Sequence, residues 1–251
     1  MKRGIFLEPE EETVLTREIP LDLSRDSLSE RIYSHLRLEL LSGLYAPGSR
    51  LSIRRLASAM NTSPTPVREA IFQLVREGAL ELRPGHQPRV PSLNIPVYIN
   101  IRETRVPLER LAGELAAVNI TPEEIASLRE YHAKFQQGEA EEQWRDALIA
   151  NQNFHFLIYN ASKNPVLVRV IENLWLLAGP FVNSQYPHIR QADVEAHPHL
   201  LIIDALERRS PAETGDLLVR DLREGSYRIL RHLETEEKAA ATSAAGSRSA
   251  K

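Results

Sequence analysis

Apolar residues near the start of the chain recur with the spacing of short amphipathic helices. From residue 27 to residue 44 they stand four residues apart, at Leu28, Ile32, Leu36 and Leu40. Ser27 and Glu30 form a capping-box sequence just before them, which predicts a helix start. A second helical pattern runs from Leu51 to Met60 after a Pro-Gly turn. The folded part of the chain is therefore predicted to begin with two helices.

A third helix is predicted almost directly after the second. Ser63 or Thr65 can cap it, and a proline at position 64 or 66 suits a first helical turn. Two helices joined by a short turn, the second with arginine near its start, are typical of a helix-turn-helix. Two strand-like segments then flank a turn at residues 83–88, which predicts a β-hairpin wing. Residues 27–92 are thus predicted to form a winged helix of three helices and a hairpin.

The rest of the chain has only helical patterns. Thr121-Pro122 and Ser210-Pro211 mark two helix starts, because a hydroxyl cap is followed by proline at the first position. We expect about six helices over residues 98–233, forming an all-α bundle, with a linker at residues 93–97. Residues 1–26 are expected to be a flexible arm, and residues 234–251 a disordered tail. The predicted fold class is mainly α.

Composition restricts the chemistry and the location. The chain of 251 residues has no cysteine, which excludes disulfides, a thiol nucleophile and thiolate metal sites. Its net charge is −3, yet residues 27–92 carry nine arginines against five glutamates. The basic segment is therefore the predicted DNA-binding one. No membrane-length apolar run or signal peptide is evident, so we expect a cytoplasmic protein with no membrane association.

Specific motifs resemble a known family. Residues 44–51 (LYAPGSRL), 63–70 (SPTPVREA) and 74–78 (LVREG) resemble the winged helix of GntR-family regulators. Residues 102–117 (RETRVPLERLAGELAA) and 151–155 (NQNFH) resemble the FCD-type effector domain of the FadR subfamily. The resemblance implies a homodimer on a palindromic double-stranded DNA operator. It also implies that a small metabolite, commonly an organic acid, binds the helical domain and changes DNA affinity.

The resemblance also places the DNA contacts. They fall on Arg50, Arg54, Ser63, Thr65 and Arg68, with the wing near Gly85 and His86. An arginine at the start of a recognition helix can pair with guanine and discriminate by roughly 1 to 3 kcal/mol. Arg50 and Arg54 would meet phosphates instead. The alternative is a solvated face whose arginines pair with Glu69 and Glu77. The sequence departs from the family at Ile53, Pro64 and Gln87, which leaves the operator sequence open.

Polar residues interrupt apolar helix faces in the C-terminal segment. Asn151 and His155 stand four residues apart on one face, while His199 and Asp221 lie among isoleucines and leucines. In the family that the chain resembles, the matching positions hold a divalent ion with one aspartate and three histidines. Here Asn151 replaces the aspartate and Asp221 replaces the last histidine.

Three interpretations of this set remain open. Two imidazoles and a carboxylate suit a divalent metal such as Zn²⁺, although a neutral amide is a poorer ligand. Alternatively, the same side chains form a hydrogen-bonded cavity that holds the effector directly or through water. A purely structural polar cluster is the third interpretation.

Arginine and histidine residues near this set also have two interpretations. Arg105 and Glu109 are four residues apart, which predicts a buried ion pair, or else an Arg105 fork that binds an effector carboxylate. His197 and His188 are expected at the pocket mouth. We expect the remaining histidines at the protein surface: His35, His86, His132 and His232.

The predicted function is a DNA-binding transcriptional regulator, not an enzyme, that responds to a small carboxylate. Two dimerised helical domains would set the recognition helices about one DNA turn apart, and the effector would reorient the domains near residues 94–96. A metal-dependent hydrolase carrying a DNA- or protein-binding winged helix is the alternative. Against it, no general base or nucleophile motif accompanies the set. A winged helix used only for protein contacts would not need clustered arginines.

Overall fold

A computed structural model describes residues 27–41, 45–92, 94–184 and 197–249. Within these ranges the chain forms helices and isolated β-bridges but no β-strand, which confirms the mainly α fold class. The helices are α1 (Leu28–Leu41), α2 (Ile53–Ala59), α3 (Pro64–Arg76), α4 (Ile95–Asn119), α5 (Pro122–Ala140), α6 (Trp144–Ala161), α7 (Pro165–Ser184), α8 (Pro198–Glu207) and α9 (Pro211–Ser249).

The helices α1, α2 and α3 form the N-terminal core. The capping box at the start of α1 is present: the Ser27 N–H donates to Glu30 Oε2 at 2.7 Å, and the Glu30 N–H donates to Ser27 Oγ at 3.2 Å. Leu36 of α1 packs with Ile71 and Leu74 of α3, and all three side chains are fully buried. This packing leaves the outer face of α3 open to solvent.

The wing is shorter than the sequence predicts. Glu81 and Arg89 pair as a single antiparallel bridge with backbone bonds of 2.8 and 2.9 Å, and Arg89 also bridges to Arg50. Pro84 and Pro88 lie between the paired residues and have no N–H to extend a ladder. The hairpin therefore consists of bridges around a turn rather than of two strands.

Two expected boundaries differ from the structure. Helix α4 begins at Ile95, inside the predicted linker 93–97, because the Asn94 side chain accepts the Val97 N–H at 3.0 Å and caps it. Helix α9 continues to Ser249, where we expected a disordered tail. Residues 234–249 contain five alanines and three glutamates, which favour helix even where apolar content is low.

The described helices α4 to α9 form the predicted all-α bundle. Helix α4 packs along α9, α6 and α7, while α5 packs on α6 and α8. Helix α7 is long and apolar enough to cross a membrane by length and composition, with a mean hydropathy of 1.4 over Pro165–Val182. In this fold it packs against α1, α4 and α6, and Ile171, Leu176 and Phe181 on it are buried. Its apolar composition follows from contacts on several sides.

Candidate functional site

The start of α3 presents polar side chains to solvent. Ser63 is the N-cap residue, and its side chain makes no cap hydrogen bond. Ser63, Thr65 and Arg68 are all exposed. Their polar groups are therefore free to meet an external partner.

The other predicted DNA contacts are also exposed. Arg50, Arg54, Gly85 and His86 lie at the surface, and Gly85 has a φ of +75° in the turn of the wing. Among the described residues, no carboxylate pairs with Arg50, Arg54 or Arg68. The expected partner Glu77 instead accepts the Tyr33 hydroxyl at 2.7 Å. The unpaired arginines suit a phosphate surface.

The bundle encloses a cavity of about 90 Å³. It brings together Arg105, Asn151, His155, His197 and Asp221, five of the residues singled out from the sequence. His199 is fully buried, and its ring stacks on Phe154 with centroids 3.8 Å apart. The predicted set is thus assembled from α4, α6, α9 and the N-terminus of α8.

Four histidines and one carboxylate cluster beside this cavity, and three of them line it: His155, His197 and Asp221. His155 Nε2 lies 3.2 Å from Asp221 Oδ2, and His132 Nδ1 lies 3.4 Å from His199 Nδ1. The backbone N–H of His199 donates to His197 Nδ1 at 3.2 Å. One further nitrogen on each ring is buried and has no hydrogen-bond partner: His132 Nε2, His155 Nδ1, His197 Nε2 and His199 Nε2. Buried polar groups of this kind are commonly satisfied by water, an ion or a ligand.

Burial sets the protonation of the cluster. It lowers the pKa of His132, lowers the pKa of His197 to about 4, and lowers the pKa of His199 well below its ordinary value. These rings are therefore neutral at neutral pH. Burial is the largest single influence and raises the pKa of the Asp221 carboxyl, but the hydrogen bond from His155 and the electrostatic interactions with His155, His199 and His197 together hold that pKa below its usual range. Asp221 is therefore ionised.

Two sets of three residues have ligand atoms close enough for one cation. His155, His199 and Asp221 form one set, and His132, His197 and His199 form the other, with all atoms of each set within 4.8 Å of one another. The first set offers an ionised carboxylate and the unpartnered Nε2 of His199. Neutral imidazoles and a carboxylate match the ligand preferences of Zn²⁺. The first set therefore fits the divalent ion that the family resemblance implies.

Arg105 is held by a buried carboxylate. Its Nε donates to Glu109 Oε1 at 2.6 Å, as the spacing predicts. Glu109 also accepts the Tyr159 hydroxyl at 2.8 Å and the Trp175 indole N–H at 3.0 Å. The Arg105 guanidinium carbon lies 4.7 Å from the centre of the Trp175 ring. The Arg105 charge is thus already matched by Glu109.

Two residues of this region were missed from the sequence. His132 was expected at the surface but is 4% exposed and contacts His199. Its position four residues after Leu128 and three before Phe135 placed it on an apolar face, which is the signal that could have found it. Arg228 lines the cavity and forms no ion pair with any described residue. His188, expected at the pocket mouth, lies outside the described residues.

Helix α7 connects the cavity with the N-terminal domain. Trp175 lines the cavity, while Leu176, the next residue, is 2% exposed within the core formed by α1, α2 and α3. Arg37 of α1 also lies 3.5 Å from Glu172 of α7. Helix α7 therefore contacts both the cavity and the core of the N-terminal domain.

A winged helix with exposed arginines, packed on a helical bundle around a polar cavity, defines a class of DNA-binding protein with a separate helical domain. Comparison with known proteins agrees with this class. The family model for bacterial regulatory proteins of the gntR family matches residues 28–90, and the FCD domain model matches residues 100–224.

The chain is similar to named regulators of Escherichia coli K12. It is 34% identical to the HTH-type transcriptional regulator McbR over 179 residues, covering 70% of this chain and 81% of McbR. It is 25% identical to the HTH-type transcriptional repressor RspR over 202 residues, covering 80% of this chain and 89% of RspR. The solved structure of E. coli McbR/YncC superimposes with a TM-score of 0.78 at 29% identity, covering 83% of this chain and all of that one.

The chain therefore belongs to the GntR family and carries an FCD domain. It is a transcriptional regulator rather than an enzyme, since its named relatives are regulators. The alternative of a metal-dependent hydrolase is set aside on this ground.

Proposed function

We propose that the protein is a cytoplasmic homodimer that binds a palindromic DNA operator and responds to a small carboxylate in the helical cavity. The observation that carries the proposal is the position of Trp175 and Leu176 on α7. The Trp175 side chain lines the cavity, and the Leu176 side chain is buried in the winged-helix core. A ligand that moves α7 therefore acts on the DNA-binding domain directly.

The DNA-binding half of the proposal is supported by charge and exposure. Arg68 lies one turn into α3, exposed and unpaired among the described residues. Arginine in this position reads guanine in the major groove. Arg50 and Arg54 lie on the same domain and supply phosphate contacts, which fix the register of the protein on DNA.

The effector half is supported by the chemistry of the cavity. Its volume of about 90 Å³ suits a small organic acid, since drug-sized ligands need several times more room. Arg228 offers a guanidinium with no carboxylate partner among the described residues, whereas Arg105 is held by Glu109. Unpaired guanidinium groups bind carboxylates through two parallel hydrogen bonds. Arg228 is therefore the first candidate for the effector carboxylate.

A divalent cation belongs to the same proposal. His155, His199 and Asp221 would hold it, and the Asn151 amide lines the same cavity. When bound, the ion supplies positive charge that an effector carboxylate neutralises. The Asp221 carboxylate would balance part of the ion's charge, which leaves room for an anionic ligand.

The proposed mechanism is a population shift between two arrangements of the domains. Ligand binding favours the arrangement of α7 that fits the filled cavity, and α1 follows because it packs on α7. Since α4 starts at Ile95, rotation between the domains occurs in the few residues before it. The spacing of two recognition helices in the dimer changes accordingly.

The test begins with operator fragments selected from genomic DNA by the full-length protein. Fluorescence anisotropy then gives operator affinity with and without a panel of small carboxylates. Arg68→Ala should weaken operator binding by roughly 1 to 3 kcal/mol, whereas Arg145→Ala, an exposed arginine on α6, should not. Arg228→Gln should abolish the carboxylate response, and the neighbouring exposed Arg223→Gln should keep it. A bound carboxylate that leaves operator affinity unchanged contradicts the proposal, because coupling is reciprocal.

A further inference from the structure

We propose that His132 is a positioning residue for the cation site, because its Nδ1 accepts the Nδ1–H of His199 and leaves the Nε2 lone pair of His199 free. The inference rests on the proposed function only in taking the cavity as a cation site. His132 lies on α5 and His199 on α8, so nothing in the local sequence links them. Their contact is made by the packing of α5 on α8.

The geometry restricts what the two rings can do. Their Nδ1 atoms lie 3.4 Å apart, and the rings are 4% and 0% exposed. Phe154 stacks on the His199 ring and fixes its plane. A neutral imidazole has one N–H and one lone pair, so one of the two Nδ1 atoms donates and the other accepts.

The direction of this bond decides whether His199 can be a ligand. If His199 donates through Nδ1, its buried Nε2 carries a lone pair and can bind a cation together with His155 and Asp221. If His132 donates instead, the His199 Nε2 is protonated and the set loses one ligand. Metal-binding histidines commonly donate their second N–H to a partner that fixes the tautomer. His132 is the group placed to be that partner.

A bond at His197 and the charge of the ligands disfavour the competing role, in which His132 is itself a ligand. That role belongs to the set of His132, His197 and His199. His197 Nδ1 already accepts the backbone N–H of His199 at 3.2 Å, and the three imidazoles of that set offer no negative charge to a cation. In the first set a cation replaces the hydrogen bond between His155 and Asp221, and the Asp221 carboxylate balances part of its charge. The first set is therefore favoured, and His132 acts through His199.

The test compares two substitutions at His132 in the full-length protein. The Asn side-chain oxygen in His132→Asn can accept a hydrogen bond as Nδ1 does, whereas His132→Leu removes the acceptor and keeps an apolar group. Zn²⁺ affinity is measured by competition with a chromophoric chelator. We expect His132→Leu to weaken Zn²⁺ binding by about 10- to 100-fold, and His132→Asn to restore most of it. Nitrogen-15 NMR of the Zn²⁺-loaded wild type should show His199 protonated at Nδ1.

Controls separate positioning from folding. Circular dichroism without metal checks that each variant folds, and His35→Leu, an exposed histidine on α1, should leave Zn²⁺ affinity unchanged. If wild type and His132→Leu bind Zn²⁺ with equal affinity, the inference is overturned. Equal loss of Zn²⁺ affinity in both His132 variants also overturns it, because that result would make His132 a ligand. Absence of Zn²⁺ binding in the wild type also overturns it. Operator binding and the carboxylate response are measured separately, so the proposed function can survive that result.

Discussion

Gly179 of α7 packs against the backbone carbonyl of Leu40 at the end of α1. A Cβ atom added at Gly179 would lie 2.8 Å from the Leu40 oxygen, which is too close for any side chain. Because the obstructing atom belongs to the backbone, it cannot move without moving α1. The contact therefore requires glycine and fixes how closely the two domains approach.

Gly179→Ala is expected to push α1 away from α7. Overpacking of this kind costs about 1 to 3 kcal/mol of stability. We expect the carboxylate response of operator affinity to be lost while Zn²⁺ binding stays, and anisotropy together with chelator competition checks both. Val166→Ala, at a position of α7 that is 72% exposed, is the control. An unchanged response in Gly179→Ala would show that α7 does not couple the domains.

Gly225 of α9 is a position from which a larger side chain can fill the cavity. It lines the cavity, and a Cβ atom there meets nothing within 4 Å. Gly225→Ala should stabilise the fold by about 0.5 to 1 kcal/mol, because alanine favours helix. Gly225→Leu should occupy the cavity and abolish carboxylate binding. Thermal unfolding and ligand titration check the two effects; carboxylate binding that survives in Gly225→Leu would place the ligand elsewhere.

Phosphate contacts are testable through salt dependence. Removing one such contact lowers the slope of log affinity against log salt by about 1. We expect this change for Arg50→Ala and for Arg54→Ala, with affinity lost equally on all DNA sequences. Arg68→Ala should instead relax the preference at one base position. Anisotropy on operator and unrelated DNA over a series of salt concentrations distinguishes the two kinds of contact. An unchanged slope in both Arg50→Ala and Arg54→Ala would mean that neither arginine contacts a phosphate.

Glu109 should be among the residues on which stability most depends. Glu109→Gln leaves the buried Arg105 without its counter-ion, which typically costs about 3 to 5 kcal/mol. Tyr159→Phe removes one hydrogen bond to Glu109 and should cost about 1 to 3 kcal/mol. Glu114→Gln, which breaks the partly exposed pair with Arg110, should cost much less, because solvent screens that pair. Urea unfolding measures all three, and equal losses at Glu109 and Glu114 would contradict the role of burial.

Stability of the metal-free protein should fall with acidification. His132, His197 and His199 have lowered pKa values in the fold, to about 4 for His197, and an unfolded histidine has a pKa of about 6.5. The unfolded chain therefore binds more protons below pH 6.5, and the free energy of unfolding drops as the pH falls.

The loss is at most about 1.4 kcal/mol per pH unit for each histidine. Urea unfolding between pH 7 and pH 5 measures the slope in the presence of a chelator. His197→Gln removes one titrating group and should make the slope shallower. A slope that is the same in wild type and variant would mean that His197 is not neutral in the fold.

Sequence patterns predicted the contacts between residues that are close together in the chain. The capping box at Ser27, the helix face shared by Asn151 and His155, and the pair of Arg105 and Glu109 all lie within four residues, where helix geometry fixes the contact. Low apolar content predicts a disordered tail, whereas α9 continues to Ser249, because alanine and glutamate favour helix.

Contacts between distant segments were not predictable in this way. His132 meets His199 only because α5 packs on α8, and Arg228 reaches the cavity only because α9 packs along α4. Periodicity shows that a residue faces a core but not which residue it meets there. Which side chains meet at the cavity is therefore known only from the fold.

The burial of Leu176 in the N-terminal core also affects how the protein is made. Ribosomes release residues 27–92 long before α7, so the N-terminal core lacks the Leu176 side chain until most of the helical bundle is synthesised. A truncated chain that ends before α7 would expose apolar surface on the winged helix and become a target for degradation. The order of synthesis would thereby disfavour the accumulation of a winged helix without its helical bundle.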